Sequence, residues 1–397
     1  MLTLIYNAKV ILPEEIKAGY VVVEDKKIKA VGFDTEYPAL SYDKKIDLEG
    51  KYLAPGFVEL HTHGAGGGDY TDATLEDYRL ANQTHMEHGT TTILPTPVPT
   101  TRDDILKYID AFRLAKKELE GKGPYLHGLH MEGPFLSKDQ AGAINPIYIR
   151  DPQPEEYEEY LEYGKGTLAR WTFAVEREGA DRFAQRLCQE GILPSIGHSN
   201  AEYCQVKEAF DKGVTHVTHL YSAMSTIVRK GGFRHSGVLE SAFCIPDMTV
   251  EIIADGCHIP PELLEMVYRL KGPDKTALTC DSMRCAGQNV KEAMLGNQKR
   301  GSRVIIEDDV AKLPDRSAFA GSVATDDRLI RVMTQKANVP LYHAVQMMTL
   351  TPAKIIGLGD RKGSIQPGKD ADLIVFDDGI NVSGVMVEGK GMVGKLA

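Results

Sequence analysis

The chain has 397 residues, of which 42% are hydrophobic and 26% charged, as expected of a globular protein with one large domain and a smaller one. Its 46 Lys and Arg residues and 56 Asp and Glu residues give a formal net charge of −10, with both signs interspersed. This balance argues against nucleic acid or an anionic membrane as a partner, because both are bound by clustered basic residues.

Targeting signals are not evident in the sequence. The N-terminal segment MLTLIYNAKVILPEE lacks a basic region followed by a long apolar core, so no signal peptide is predicted. No stretch approaches the ~20 apolar residues that span a bilayer. The six cysteines are scattered without a C-x-x-C pair, which is typical of free thiols in a reducing compartment. A cytoplasmic location is therefore expected.

Short strands are predicted at both ends of the chain. Residues 2–12, 20–32 and 44–56 alternate apolar and polar side chains, with a turn at Asp25-Lys26. The C-terminal segments GSIQPGKDADLIVFD and SGVMVEGKGMV show the same pattern. We expect residues 1–53 and 355–397 to pair into a small β-sandwich domain.

Between these ends, short apolar runs alternate with amphipathic segments such as DDILKYIDAFRLAKKELEG, as in repeated βα units. The predicted strands are residues 56–61, 91–95, 125–131, 170–175, 192–197, 214–218, 249–254 and 276–280. Eight βα units within residues 54–354 favour a (β/α)8 TIM barrel, for which about 250 residues are typical. The alternative is a doubly wound open sheet, but no G-x-G-x-x-G motif or P-loop follows any predicted strand.

Histidines and carboxylates follow several of the predicted strands. In a TIM barrel, residues at the carboxyl ends of the strands face the active site. The segment FVELHTHGAGGGDY places His61 and His63 after the first strand, where alternation directs both side chains the same way. The other residues in such positions are Glu132 in LHMEGPF, His198 in IGHSNA, His219 in VTHLYSAM and Asp281 in LTCDSMR. One strand-end histidine is usually solvated, but six such residues at the same strand ends predict a metal site.

Neutral imidazoles and carboxylates suit a divalent cation, with Zn²⁺ as the first choice and Fe²⁺, Mn²⁺ or Co²⁺ as alternatives. A catalytic metal site leaves a position open for water and lowers the pKa of that water from ~15.7 towards ~7. Asp281 is predicted to take the proton of this water and pass it to a leaving group. The predicted reaction is metal-assisted hydrolysis of a carbonyl compound. Cys280 and Cys285, on either side of Asp281, are expected to serve packing.

The remaining histidines receive separate predictions. His85 and His88, spaced i,i+3 in a predicted helix, are interpreted as a surface pair rather than as metal ligands. His130 shares a strand face with the predicted carboxylate ligand and is expected to support the site. Alternation directs His216 away from the pocket. His258 follows the seventh predicted strand and is a candidate substrate contact.

These residues, in this order, resemble the amidohydrolase superfamily. The segments LHMEGPF, GHSNA, THLYSAM, IADGCH, CDSMR, AGS and TPAKIIGLGDRKGSIQPGKDADLIVFD are similar to the N-acetylglucosamine-6-phosphate deacetylase family. The similarity extends nearly from end to end. It implies hydrolysis of an N-acetyl amino sugar 6-phosphate to the amino sugar phosphate and acetate.

The resemblance also implies roles for individual residues. Glu132, His198 and His219 would hold the main metal ion, His61 and His63 would complete a second site, and Asp281 would be the acid/base. The positions that match substrate-binding residues of the family are Ala143, Ser222, Ala223, Arg234, His258, Ala320, Gly321 and Ser322. The family's arginine reaches across a dimer interface, so a homodimer is implied.

Three departures from the family pattern affect the substrate side. Ser222-Ala223-Met224 replaces N-A-M, and Arg234-His235-Ser236-Gly237, after a longer basic loop, replaces R-E-P-G. Ile144 stands where many members have a histidine that would polarise the acetyl carbonyl or hold the sugar. A related N-acyl sugar, such as N-acetylgalactosamine-6-phosphate or an unphosphorylated sugar, or another amide, is therefore the alternative substrate. A non-catalytic amidohydrolase-like assembly protein is disfavoured, because such proteins lose metal ligands that this chain keeps.

Overall fold

The computed structural model describes residues 1–33, 37–98 and 100–397. The strands are β1 (Leu2–Ile11), β2 (Ile16–Glu24), β3 (Lys27–Gly32), β4 (Lys44–Asp47), β5 (Tyr52–Pro55), β6 (Phe57–Thr62), β7 (Gly64–Ala65), β8 (Gly68–Asp69), β9 (Thr90–Pro95), β10 (Tyr125–Leu126), β11 (Leu129–Glu132), β12 (Leu168–Phe173), β13 (Leu193–Ile196), β14 (His216–Val217), β15 (Val228–Lys230), β16 (Phe233–His235), β17 (Thr249–Ile253), β18 (Thr276–Thr279), β19 (Glu292–Leu295), β20 (Ser302–Glu307), β21 (Val310–Lys312), β22 (Leu373–Phe376), β23 (Val382–Val387) and β24 (Lys390–Gly394).

The α-helices lie between the strands of the central region and after them. They are α1 (Leu75–Glu87), α2 (Arg102–Glu118), α3 (Pro154–Tyr163), α4 (Ala180–Gln189), α5 (Tyr203–Asp211), α6 (Val238–Cys244), α7 (Pro261–Lys271), α8 (Asp326–Gln335), α9 (Leu341–Met348) and α10 (Leu350–Ile355). Thr74 and Thr101 cap the first two, because their side chains accept hydrogen bonds from the backbone N–H groups of Asp77 and Asp104. None of the helices in the described ranges is long and apolar enough to cross a membrane.

Strands from the two ends of the chain form one mixed sheet. Its order is β24-β23-β22-β5-β1-β2-β3, with β4 paired to β1. The two ends of the chain meet where β5 pairs antiparallel with β22, from Leu373 opposite Pro55 to Phe376 opposite Tyr52. The predicted turn between β2 and β3 is present, with Asp25 at a φ of 51°.

The central strands are parallel and lie in two runs, β10-β9-β6 and β11-β12-β13-β14-β17-β18. Every residue of β6, β9 and β18 is buried, the pattern of a parallel sheet covered on both faces. The longer run follows chain order, whereas a doubly wound sheet reverses its strand order at a switch point. All eight strands predicted from the sequence are present, although the third is divided between β10 and β11.

The central sheet is curled, so that its first and last strands meet. The backbone N–H of Asp281, just after β18, donates to His61 O at 3.1 Å, and Thr279 Oγ1 donates to the same carbonyl at 2.9 Å. On the other side of β6, Thr96 N donates to Thr62 O at 2.9 Å. The molecule therefore has a mixed α/β fold whose curled parallel sheet gathers the carboxyl ends of its strands.

Three small β-structures were not predicted, the first being the short hairpin β7–β8 in the glycine-rich segment. The exposed hairpin β15–β16 follows the His219 loop, pairing Val228 with His235. Strands β19, β20 and β21 form a three-stranded sheet between β18 and α8. The sequences of these strands are short mixtures of charged and apolar residues, which resemble a surface loop.

Candidate metal centre

Three residues of the predicted metal and acid/base set share an unusual backbone conformation. His198, His219 and Asp281 each lie two residues beyond the end of their strand, with φ values of 47°, 29° and 44°. Non-glycine residues rarely adopt positive φ, and such strain concentrates at functional sites. The conformation turns each side chain towards the end of the curled sheet instead of continuing the strand.

Glu132, at the end of β11, lies at the centre of the cluster. Its Oε1 is 3.1 Å from His198 Nε2 and 3.1 Å from His219 Nε2, and these two nitrogens are 3.2 Å apart. Its Oε2 is 3.4 Å from His61 Nε2 and 3.5 Å from His63 Nε2. All five side chains are buried, so one carboxylate faces four imidazole nitrogens out of contact with bulk water.

Asp281 completes a second group with His61 and His63. Its Oδ1 is 3.2 Å from His63 Nε2 and 3.5 Å from His61 Nε2. Neither Asp281 Oδ1 nor His61 Nε2 has a hydrogen-bond partner among the described residues. Ligating atoms thus converge in two groups, one of His61, His63 and Asp281 and one of Glu132, His198 and His219, each within 4.8 Å.

The charges of these groups are strongly perturbed. Burial acts to lower the pKa of His61, but the carboxylates of Asp281 and Glu132 outweigh it and raise that pKa well above its ordinary value. Burial acts to raise the pKa of Glu132, but His61, His198 and His219 hold it well below its usual range. Positive charge beside the carboxylates of Glu132 and Asp281 therefore stabilises the cluster. A bound cation would supply this charge in place of the protons on the imidazoles.

The orientation of the imidazoles also fits a metal ion. His61 Nδ1 donates to Glu251 Oε1 at 3.0 Å, and His63 Nδ1 donates to the Thr96 carbonyl at 2.7 Å. His198 Nδ1 donates to the Gln140 carbonyl at 2.7 Å. A proton fixed on Nδ1 leaves the Nε2 lone pair directed at the centre of the cluster, as in metal-ligating histidines. The donor set of nitrogen and carboxylate oxygen therefore fits a divalent cation.

Several predicted substrate contacts surround the cluster closely. Ser222 N donates to His219 O at 2.9 Å, and Ala223 has a φ of 47°. A Cβ at Gly142, the neighbour of Ala143, would lie 3.7 Å from His198 Cε1 and 3.8 Å from Ala223 Cβ. The segments around residues 143 and 222 thus line the His198 side of the cluster.

The segment of Ala320, Gly321 and Ser322 packs against the Asp281 loop. Ser322 N donates to Asp281 O at 2.8 Å, and a Cβ on Gly321, whose φ is 80°, would lie 3.3 Å from that oxygen. A side chain here would therefore press on Asp281. His258 follows β17, with its Nδ1 2.8 Å from Asp255 Oδ2 and its ring against Phe319.

Arg234 lies apart from the cluster. It is exposed on β16, opposite Arg229 of β15. Within the described ranges, neither arginine makes an ion pair, whereas Lys230 and His235 both pair with Glu202. The hairpin thus leaves two guanidinium groups available to an external anion.

Comparison with known proteins places this geometry in a family. The model of the amidohydrolase family matches residues 52–392. N-acetylglucosamine-6-phosphate deacetylase from Bacillus subtilis is 32% identical over 372 residues, which cover 93% of this chain and 91% of the relative. The Haemophilus influenzae deacetylase of the same name is 34% identical over 348 residues, covering 87% and 88%. The chain belongs to the amidohydrolase family, and within it to the N-acetylglucosamine-6-phosphate deacetylases.

A solved structure agrees with this assignment. A mutant N-acetyl-D-glucosamine-6-phosphate deacetylase from Mycobacterium smegmatis, in complex with N-acetyl-D-glucosamine-6-phosphate, superposes with a TM-score of 0.88 at 29% identity. The match covers 99% of each chain. As a member of this family the protein is a hydrolytic enzyme, and amidohydrolases typically depend on a divalent metal.

Two histidine predictions for this amidohydrolase were wrong. His85 is fully buried, with Nε2 2.9 Å from Thr62 Oγ1, and the half-buried His88 contacts Asp327 at 3.1 Å, so they are not a surface pair. His216 does not face away from the pocket, because its Nε2 is 3.6 Å from Glu251 Oε2. His130 lies beneath the cluster as expected, with its ring centroid 4.6 Å from that of His61.

A buried ion pair beneath the amidohydrolase centre was missed. Arg170 Nη1 lies 2.5 Å from Glu251 Oε2, both side chains are 0% exposed, and the other oxygen of Glu251 orients His61. The signal available in the sequence was a charged residue inside each of two apolar strands, because Arg and Glu are almost never fully buried unless paired. Arg170 and Glu251 are 81 residues apart in the chain, so their pairing depends on the fold and could not be predicted from the sequence.

We expect Glu251→Gln to lower the free energy of unfolding by about 3–5 kcal/mol, because it leaves Arg170 buried without a counter-charge. Chemical denaturation of the purified variant measures this loss. The control is Glu292→Gln, whose partner Arg303 is 61% exposed, for which a loss below about 1 kcal/mol is expected. Similar small losses in both variants would show that the Arg170–Glu251 pair does not support the centre.

Proposed function

We propose that this amidohydrolase removes the acetyl group of N-acetylglucosamine-6-phosphate, releasing acetate and the amino sugar phosphate. The observation that carries this proposal is the convergence of four histidine Nε2 atoms on Glu132 and Asp281 at one end of the curled sheet. It is supported by family membership over nearly the whole chain. A non-catalytic assembly protein would have no need to keep this buried set of ligands.

The architecture we propose for this function has two parts. The curled sheet with its helices, residues 54–354, forms a closed (β/α)8 barrel, supported by the hydrogen bonds between the ends of β6 and β18. Residues 1–53 and 355–397 form a smaller β-sandwich domain, supported by the pairing of β5 with β22. This arrangement would place the centre at the carboxyl ends of the barrel strands.

The proposed metal ligands are Glu132, His198 and His219 for a main ion, with His61 and His63 completing a second site. Borderline donors of this kind favour Zn²⁺, with Fe²⁺, Mn²⁺ or Co²⁺ as alternatives. When bound, such an ion polarises a water molecule and the amide carbonyl, which makes attack feasible at neutral pH. Glu132 offers one oxygen to each histidine pair, so it is the residue that would join the two sites.

Asp281 is the proposed general base and acid. Burial acts to raise its pKa, but His61 and His63 hold that pKa below its ordinary value, so the carboxylate is ready to accept a proton. Oδ1 would take the proton of the attacking water and then deliver it to the amide nitrogen as the carbon–nitrogen bond breaks. The products are a carboxylate, acetate, and the free amine of the sugar.

The substrate would be held by residues around this centre. The backbone at Ser222 and Ala223, with Ala143, would line one side, and His258 with residues 320–322 the other. Asp255 fixes the Nδ1 proton of His258, which leaves its Nε2 for a sugar hydroxyl. Arg234 would bind the 6-phosphate, across a homodimer interface as in the family. The exposed position of Arg234 supports a role that a second copy of the chain completes.

If the substrate is phosphorylated, Arg234→Ala should raise its KM by about 10- to 100-fold, because a charged hydrogen bond to phosphate contributes about 1.5–3 kcal/mol. Steady-state kinetics on the phosphorylated and the neutral sugar measure the difference. The neutral sugar should be affected little. Lys230→Ala is the matched control, since Lys230 already pairs with Glu202. Equal losses on both sugars would make Arg234 structural.

The second candidate function is hydrolysis of a different N-acyl sugar or another amide. Ile144 favours this alternative. This residue is buried with Leu136, Ala141 and Ile149 in a small apolar cluster, so it offers no polar group to an acetyl carbonyl or a sugar. Acetate release from a panel of N-acetyl amino sugars, with and without the 6-phosphate, decides between the candidates. We expect N-acetylglucosamine-6-phosphate to have the highest kcat/KM. Preference for another epimer or for a neutral sugar would favour the alternative.

A further inference from the structure

A second cluster of metal-ligating side chains lies outside the centre described above. His85 comes from α1, Cys280 follows β18, and Asp326 begins α8. A ring nitrogen, the thiol sulfur and a carboxylate oxygen of these residues lie within 4.8 Å of one another, and all three side chains are fully buried. The proposed mechanism uses none of the three.

Two atoms of this cluster lack hydrogen-bond partners. Among the residues that the structure describes, His85 Nδ1 and Asp326 Oδ1 make no hydrogen bond. The other polar atom of each side chain is anchored, because His85 Nε2 is 2.9 Å from Thr62 Oγ1 and Thr90 Oγ1 donates to Asp326 Oδ2. Buried polar atoms without partners are costly, so a native structure rarely keeps them without a ligand, water or proton to satisfy them.

We propose that His85, Cys280 and Asp326 bind one borderline divalent cation, Zn²⁺ or a metal of similar softness. Imidazole, thiolate and carboxylate are the protein ligands of Zn²⁺, which binds them at about 2.0–2.3 Å. Thiolate excludes the hard cations Mg²⁺ and Ca²⁺, which prefer oxygen.

Glu59 lies next to this cluster. Its carboxylate accepts hydrogen bonds from Cys280 N at 3.0 Å and His61 N at 2.8 Å. Burial, and then the neighbouring Glu59, raise the pKa of Asp326 well above its usual value. A cation bound by the three residues would displace the thiol proton of Cys280 to solvent.

Such an ion would be structural. It would tie α1, the start of the Asp281 loop and the start of α8 to one point behind the catalytic cluster. The two sites differ in one decisive feature, because the catalytic cluster contains no sulfur. A thiolate–metal signal therefore cannot come from the catalytic cluster, and its dependence on Cys280 assigns it to the His85–Cys280–Asp326 cluster.

The test replaces the bound metal of the whole protein with Co²⁺ and records the near-ultraviolet charge-transfer band from thiolate to cobalt. We expect the band in the wild type, its loss in Cys280→Ala, and its loss or displacement in Asp326→Asn. The control Cys285→Ala removes a buried thiol that packs against Met283 and Leu295, and should keep the band. His198→Ala should also keep it while losing hydrolysis, so failure of the proposed function and of this site are distinguishable.

The zinc content of the same proteins gives an independent measurement. Cys280→Ala should bind about one zinc ion fewer per chain than Cys285→Ala. No charge-transfer band in cobalt-loaded wild type would overturn the proposal, whatever the folding of the variants. So would a band that survives Cys280→Ala.

Discussion

Replacing His198 by alanine is expected to remove the main metal ion and to abolish acetate release. His198 Nε2 is one of three ligating atoms that face one another within 4.8 Å, and three protein ligands are the minimum of a catalytic zinc site. The loss of activity should exceed ~100-fold, because changing a residue that only orients a metal ligand costs at most about that much. Elemental analysis and an acetate assay on the same preparation measure both effects.

The matched control is His343→Ala. This histidine lies on α9, where it contacts Tyr268 Oη at 2.8 Å, outside the cluster. His219→Ala should behave like His198→Ala, whereas His61→Ala should cost the second ion, with a smaller loss of activity if only one ion is catalytic. Full activity of His198→Ala protein that a chelator has stripped of metal would rule out the ligand assignment.

The second large effect is expected at Asp281. Asp281→Asn preserves the shape of the side chain but cannot accept a proton, so kcat should fall by ~10²–10⁴. The KM should change little, because the proposed sugar contacts lie on other residues. The pre-steady-state and steady-state rates of acetate release measure kcat and KM separately. Asp308→Asn, which alters an 80% exposed carboxylate paired with Lys312, is the control and should leave both constants unchanged.

Retention of the wild-type kcat by Asp281→Asn would assign the proton transfer to another group. A variant that loses its metal together with its activity would mark Asp281 chiefly as a ligand, since its Oδ1 lies 3.2 Å from His63 Nε2. The metal content of the Asp281→Asn protein must therefore be measured together with its kcat and KM.

Much of the central region could be predicted from the sequence. Short runs of mostly apolar and β-branched residues, such as those of β6 and β9, mark strands buried on both faces, and β6 differs from its predicted range by one residue at each end. The residues that follow such strands share one edge of a parallel sheet, which is why the sequence alone groups Glu132, His198, His219 and Asp281. Hydrogen-bond partners of the ligands, such as Glu251, depend on long-range pairing and could not be predicted.

The errors have a common origin. The i,i+3 spacing of His85 and His88 shows that two residues share a helix face but not whether that face is buried. The direction of His216 was wrong because β14 has two residues only, too short for alternation to fix a direction. The hairpin β15–β16 has the sequence of a basic loop, because exposed strands carry no apolar pattern.

Metal-dependent deacetylation can be tested by measuring both products of the proposed reaction. Acetate and free primary amine are quantified from N-acetylglucosamine-6-phosphate incubated with the purified protein, the chelator-stripped protein and the stripped protein resupplied with Zn²⁺. We expect equal amounts of the two products from the purified protein, none from the stripped protein, and recovery of both after Zn²⁺ is resupplied. No acetate from fully metal-loaded protein, or undiminished release after complete removal of metal, would contradict this expectation.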